Sequence, residues 1–281
     1  MNTTMKRGLI EIHDFVKNDV PIIMYADMKK YKHVPFLVNK HIDLELLFVK
    51  EGEIEMHLDN AVFLATQGDI IVANYNVLHN IIPLTDSITY DCLIVDKEFC
   101  TKYNFLIDKN HIQEIIQSEK IFEHMYSIKE AMIDKQRNYK TAEVTAEVLH
   151  ILTELFRKYL VAEPRIYDYN GRKMIEKGLL FIQEHFREDI SVDMIANHAG
   201  YSKYHFCRKF KEVAGCTVNT YINMQRISYA KERLSNEKSV VGKVAEESGF
   251  HNIAYFSQIF RKYVKCSPGE YKKRIEKPRF N

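Results

Sequence analysis

Lys203, Tyr204, Cys207, Arg208 and Lys211 fall on one side of a helix predicted from about Ser202, because Phe206, Phe210 and Val213 recur at i, i+4 and i+7 and claim the other side. Cations interleaved with hydrogen-bonding groups suit anionic oxygens and polar edges, and nothing in the row resembles a nucleophile beside its base. The segment that carries them, "GYSKYHFCRKFKEVAGCTV" from Gly200, has a near copy in "GFHNIAYFSQIFRKYVKCSP" from Gly249. Charge is distributed to match. Residues 171–281 hold 21 Lys and Arg against 12 Asp and Glu, a net +9, whereas residues 1–170 hold 19 against 26, a net −7. One half of the chain is therefore suited to a polyanion.

Positioning such a face twice requires two packed helix pairs. In "ISVDMIANHAG", Ser191 N-caps a short helix with Ile195, Ala196 and Ala199 on its inner side, and Gly200 supplies a left-handed turn into the next helix. The second copy offers Ser239 as cap, Val244 and Ala245 inward, Gly249 at the turn, and Phe256 with Phe260 as the apolar stripe. Ala196 to Ala245 and Gly200 to Gly249 are 49 positions apart, while Phe206 to Phe256, Phe210 to Phe260 and Cys216 to Cys266 are 50, so the second turn has gained one residue. A helix between the copies, from Thr217 to Ser235, carries Tyr221, Ile222, Ile227, Ala230 and Leu234. Its roughly 18 residues span about 27 Å. Ser267, Pro268 and Glu270 predict a capping box for a last short helix.

In order, "A..AGYS..HF.R.FK...G", Arg226 with Ala230 to Leu234, "VA...GF....YFS..F.K" and "SP..Y" resemble the DNA-binding domain of AraC-family transcription activators, over about Gly171 to Arg274. The resemblance implies two helix-turn-helix motifs whose second helices enter successive major grooves of double-stranded DNA, about 34 Å apart, and contact with RNA polymerase. Carried over by position, Tyr204, Cys207, Arg208, Ile253, Ala254, Tyr255, Ser257 and Gln258 face bases, and Lys203, Lys211, Lys262 and Lys265 meet phosphates. A guanidinium at Arg208 suits O6 and N7 of guanine, and the Gln258 amide suits adenine. Ile253 and Ala254 suit thymine methyls or DNA shape. Cys207 is either a contact or a small residue with no readout.

The N-terminal half changes period. From Pro21 to about Val95, short alternating segments such as "EIEMHLDN", with Ile54, Met56 and Leu58 opposite Glu53, Glu55 and His57, are separated by turns at Glu51-Gly52, Asp59-Asn60 and Gln67-Gly68. They predict a small antiparallel barrel or sandwich. "NKHIDLELLFVKEG" with "GDIIVANYNVLHNI" resembles the cupin-type sensor barrel of the same regulators. Metal-binding cupins place two His and a Glu in the first motif and a His in the second; the matching positions here are Asn39, His41, Glu45 and His79, so one histidine is missing. Two readings follow. His41, Glu45 and His79 are structural and border the cavity of a small-molecule effector, together with Pro35 to His41 and Asn74 to His79. Alternatively they hold a metal in a cupin enzyme with an accessory helical domain. We take the first, expecting no catalytic residues, no cofactor and no metal.

The expected fold class is α+β: a cupin-like β-barrel over residues 1–100, connecting helices over 101–160, a linker over 161–170 that includes Pro164, and an all-α DNA-binding domain over 171–281. Val148, Leu152, Leu155 and Phe156 share a helical face that either covers the barrel or pairs two subunits; we expect a homodimer. With 46% hydrophobic residues, 28% charged residues, 10 Gly and 6 Pro, both halves should bury cores. The start carries no signal-like apolar run and no segment is long and uncharged enough to span a bilayer, which together predict a cytoplasmic protein that does not meet the membrane. Five scattered cysteines, Cys92, Cys100, Cys207, Cys216 and Cys266, predict reduced thiols.

Overall fold

The computed structural model describes residues 4–7, 9–15, 20–32, 36–134, 138–162, 168–236 and 239–276. It divides into two compact units, Met1–Lys32 with Asn39–Tyr167, and His33–Val38 with Asp168–Asn281. Pro164 lies outside the described residues.

In the first unit, strands β3 (Ile22–Tyr31), β4 (Leu44–Glu51), β7 (Ile70–Ala73), β9 (Ser87–Val95) and β10 (Ile115–Ile116) form one antiparallel sheet in the order β10-β7-β4-β9-β3. Strands β5 (Ile54–Leu58), β6 (Ala61–Ala65) and β8 (His79–Pro83) form a second, in the order β6-β5-β8. Strands β1 (Thr4–Arg7) and β2 (Ile10–His13) pair separately. Among the described residues the expected barrel is two sheets that do not close: the turn at Gly52 carries the chain from β4 in one to β5 in the other, and β5 pairs with β6 and β8. His57, on the face opposite Ile54, Met56 and Leu58, is buried with Nε2 2.7 Å from Glu55.

Helix α1 (Lys97–Lys102) follows β9, and helices α2 (Glu119–Ile133) and α3 (Lys140–Lys158) come after β10. Ile115 and Ile116, read from spacing as helical, instead extend the sheet beside β7. Ile121, Met125 and Ile128 of α2 and Val148, Leu152 and Leu155 of α3 join Leu46, Phe48, Ile70 and Leu93 in one core. The apolar face of α3 is thus consumed in covering a sheet. At about 25 cal/mol per Å² of buried apolar area, that burial is the main stabilising contribution of the two helices.

The second unit is helical: α4 (Tyr169–His185), α5 (Val192–Ala199), α6 (Lys203–Ala214), α7 (Val218–Leu234), α8 (Val241–Glu247), α9 (Ile253–Val264) and α10 (Pro268–Glu276). Helix α4, capped by Asp168, begins before Gly171. Its Gly178 leaves the space that the ring of Phe206 fills. The repeat runs further than its glycines and phenylalanines. Phe206 packs on Phe210, which meets Tyr221 at the start of α7 edge-on, and Phe256 packs on Phe260, which meets Tyr271 at the start of α10 in the same way. Thr217 and Ser267 occupy equivalent positions before those helices, so α10 repeats the first turns of α7.

The caps show where local rules suffice. Ser191 and Ser202 accept from the backbone N–H groups of Met194 and His205, and Ser267 with Glu270 forms the reciprocal capping box. Ser239 does not cap: α8 starts one residue later, with Val240 at the N-cap and no side-chain bond. Asn252, which sequence spacing did not single out, caps α9 by accepting from Tyr255 N–H. Arg226 on α7 donates through Nε to Phe186 O at 2.6 Å and through an η nitrogen to Glu188 O at 2.8 Å, while its guanidinium lies 5.6 Å from the Phe250 ring. It ties the end of α4 to the turn of the second motif.

Candidate nucleic-acid interface and a buried histidine cluster

Both helix pairs close their turns in the same way. Gly200 and Gly249 sit at φ 87° and 83°, and the next residues, Tyr201 and Phe250, donate back to Ala196 O and Ala245 O, each at 3.0 Å. This αL closure ends one helix and lets the next leave at a steep angle. From turn glycine to first helical residue is Gly200 to Lys203 in one motif and Gly249 to Ile253 in the other, so the extra residue falls in the segment after Gly249. Phe250 is buried in the second core.

On α6, Lys203, Tyr204, Arg208 and Lys211 are exposed, Tyr204 to 81%, and Cys207 is half-buried. On α9, Ile253, Ala254, Tyr255 and Gln258 are exposed and Ser257 is half-buried. Every base-facing and phosphate-facing residue named from sequence therefore reaches the surface at least in part. Tyr255 is pinned, its hydroxyl oxygen accepting from Asn223 Nδ2 on α7 at 3.1 Å. Lys203 lies 2.6 Å from Asp193. An exposed pair of that kind contributes little to stability and exchanges readily for a phosphate. Arg261 was missed by the sequence reading. It lines a shallow concavity with Ala254, Ser257, Gln258 and Lys262, and its spacing of i+7 from Ala254 was the available signal.

Lys265 ends α9 at φ 62°, where the first motif has Gly215 at 66°. A side chain there costs about 1–2 kcal/mol. Lys265→Gly is expected to raise the stability of the helical unit by about 1 kcal/mol in urea unfolding. If Lys265 also meets a phosphate, the same variant lowers the salt slope of DNA binding by about 1.

In the first unit, Glu45 on β4, His79 on β8 and His41, just before β4, converge. Nε2 of His41 is 2.8 Å and Nε2 of His79 is 3.1 Å from the same Glu45 Oε2. All three residues are less than a tenth exposed. Nδ1 of His41 contacts Asp43 O at 3.1 Å and Nδ1 of His79 contacts Val77 O at 3.0 Å. The other Glu45 oxygen accepts from Cys92 Sγ at 3.1 Å. Burial alone would raise the Glu45 carboxyl, yet the imidazoles of His79 and His41 hold it well below the usual carboxylate range. His13 of β2 joins from the side, with Nδ1 2.6 Å from Asp43 and its ring 4.8 Å from that of His41. Sequence spacing did not find His13, which lies 30 positions from Asp43. All five cysteines are free thiols, and burial pushes Cys100 and Cys216 up to about 12.

A family model described as a helix-turn-helix domain matches residues 195–274. The chain is 20% identical over 241 residues to the HTH-type transcriptional regulator YdiP of Escherichia coli K12, covering 83% of this chain and 80% of that protein. It is 24% identical over 237 residues to the HTH-type transcriptional regulator SACOL0084 of Staphylococcus aureus COL, covering 80% of this chain and 31% of that one. The chain thus spans about a third of the length of the staphylococcal relatives it matches. Among solved structures, ToxT of Vibrio cholerae is similar at 14% identity and a TM-score of 0.45, over 90% of this chain and 96% of that one. Among the described residues, no helix is long and apolar enough to cross a membrane.

Proposed function

We propose, starting from a chain that belongs to the AraC family of helix-turn-helix regulators through its C-terminal domain, that it binds double-stranded DNA sequence-specifically and regulates transcription in response to an effector. The observation that carries this reading is the doubled motif, with both outer faces exposed on a half that bears net +9. Helices α6 and α9 enter successive major grooves. Arg208, Gln258 and their neighbours read base edges, and Lys203, Lys211, Lys262 and Lys265 hold phosphates. Phosphate contacts set register while base contacts choose sequence, so the two groups respond differently to mutation.

The effector binds in the first unit near His41, Glu45 and His79. The protein acts in the cytoplasm as a homodimer, contacts RNA polymerase and activates transcription. These parts rest on the family resemblance. The apolar face of α3 is already buried within its own chain, so a second copy must pair through other surfaces. A metal-dependent enzyme is not favoured, since the matched family model is a helix-turn-helix domain and the relatives' names concern transcription.

Selection of bound duplexes from a random pool by the full chain tests the reading. It should return two short conserved words about one helical turn apart. Arg208→Ala is expected to lose preference at one guanine, by about 1–3 kcal/mol, with little change elsewhere in the site. Enrichment of no sequence would overturn the proposal.

A further inference from the structure

Among the groups that face outward from α9, Tyr255 has the least settled chemistry. Ile253 and Ala254 beside it carry no hydrogen-bonding side chain, and Gln258, three residues on, offers both a donor and an acceptor. A free phenol is ambiguous in another way. Its proton swings about the C–O bond, so the same oxygen gives a hydrogen bond to one base edge and takes one from another. Left free, Tyr255 would discriminate poorly.

The structure removes that freedom. The Tyr255 ring packs against that of Phe250, with centroids 6.1 Å apart and planes at 58°, and Phe250 is buried in the second core. The Tyr255 backbone N–H donates to Asn252 Oδ1. Its hydroxyl oxygen accepts from Nδ2 of Asn223, half-buried on α7, at 3.1 Å. An amide nitrogen can only donate. A phenolic proton lies near the ring plane in one of two positions, so the Asn223 N–H takes one side of the oxygen and the proton is left on the other. Among the described residues the hydroxyl makes no further hydrogen bond, and Tyr255 is 45% exposed. What it offers to a ligand is a donor of fixed direction.

Two observations set Asn223 apart. Asparagine suits a helix interior poorly, because its amide competes for nearby backbone groups, yet Asn223 is the sixth of the 17 residues of α7. In the first motif the residue 50 positions before Tyr255 is His205, whose ring stacks instead on Tyr201 of its own turn, with centroids 5.5 Å apart and planes within 18°. The tie from the outer helix back to the long helix is a feature of the second motif.

We propose that Asn223 is a specificity-determining residue that acts through Tyr255: by fixing the phenol as a donor, it makes α9 reject cytosine at one position of the bound duplex. In the major groove guanine offers the acceptors O6 and N7 and thymine offers O4, whereas cytosine offers only the N4 amino donor. A fixed donor facing that amino group is left without a partner. The helix between the motifs thus takes part in reading sequence as a positioning element that touches no base. The proposal rests on the regulator reading for the presence of DNA, and on geometry for the direction of the bond.

The test uses the full chain and the duplexes it selects from a random pool. In the free protein the side-chain amide signal of Asn223 should shift in NMR spectra of Tyr255→Phe. Each base pair of the selected site is then replaced in turn by G·C and by C·G, and the pair read by the hydroxyl is the one whose guanine-to-cytosine affinity ratio changes in Tyr255→Phe. There the unmutated chain should favour guanine about fivefold and Tyr255→Phe less than about twofold. Asn223→Asp is the sharpest variant. A carboxylate only accepts, so it draws the phenolic proton to itself and turns the hydroxyl lone pairs outward, and the ratio should pass to the side of cytosine. Any general loss from the added negative charge cancels in the ratio. Asn223→Ala frees the hydroxyl to turn and should give an intermediate ratio. Circular dichroism checks the fold of each variant, and Asn223→Ala carries the test if Asn223→Asp does not fold. A guanine preference unchanged in the folded Asn223 variants overturns the proposal, as does the absence of any pair whose ratio responds to Tyr255→Phe. A shifted amide signal in a chain that enriches no duplex would remove the regulator reading, and this proposal with it, and leave only the hydrogen bond.

Discussion

Phe256→Ala is expected to destabilise the helical unit by about 3–5 kcal/mol, a large share of the 5–15 kcal/mol that holds an ordinary domain together. The ring is fully buried and lies 5.2 Å from that of Phe250 and 5.6 Å from that of Phe260, which in turn packs edge-on against Tyr271. Removing it leaves a cavity that its two aromatic neighbours and the α7 residues Met224, Ile227 and Ala230 cannot collapse into without moving a helix. The melting transition of this unit should fall by more than about 10 °C, and DNA binding should disappear over the same temperature range as helical circular dichroism. A fall under about 1 kcal/mol would show that the two motif cores do not depend on their phenylalanine pairs.

The two turn glycines should respond unequally to the same substitution. Gly200→Ala meets open space and carries only the αL strain of about 1–2 kcal/mol. At Gly249 a Cβ would lie 2.8 Å from Phe186 O and 2.9 Å from both Cα and O of Arg187, all backbone atoms. Backbone yields less readily than a side-chain tip, so overpacking adds about 1–3 kcal/mol and brings the total to about 2–5 kcal/mol. Urea unfolding of both variants measures the difference. Equal losses would mean that the second turn does not pack against the end of α4.

Much of this was legible because it obeys short-range rules. Phe206, Phe210 and Val213 had to share a face by helical period alone, and Ser191, Ser202, Ser267 and Glu270 matched capping rules that look only a few residues ahead. The one-residue gain after Gly249 could be counted. Errors arose where a neighbour distant in sequence decided the outcome. Ser239 lost the N-cap because α8 starts one residue late. Ile115 and Ile116 form a strand because β7 offers an edge, a fact that two isoleucines cannot encode locally. His57 shares a face with Glu55, as alternation requires, but is buried there, which the pattern of one strand does not tell. The cluster at Glu45 was legible only through its resemblance to a known motif; His13 arrives from β2, and no spacing rule links it to His41. The equivalence of Tyr221 and Tyr271 lies in the sequence at the same interval of 50 that relates the phenylalanines.

Arg226 gives the pair of motifs a second point of attachment. Were α7 their sole connection, the two outer helices could swing about it as about a single axle. The guanidinium, held by Phe186 O and Glu188 O beneath the Phe250 ring, removes that freedom. What remains behaves as a fixed gauge, which measures the interval between two sequence words as strictly as it spells either of them.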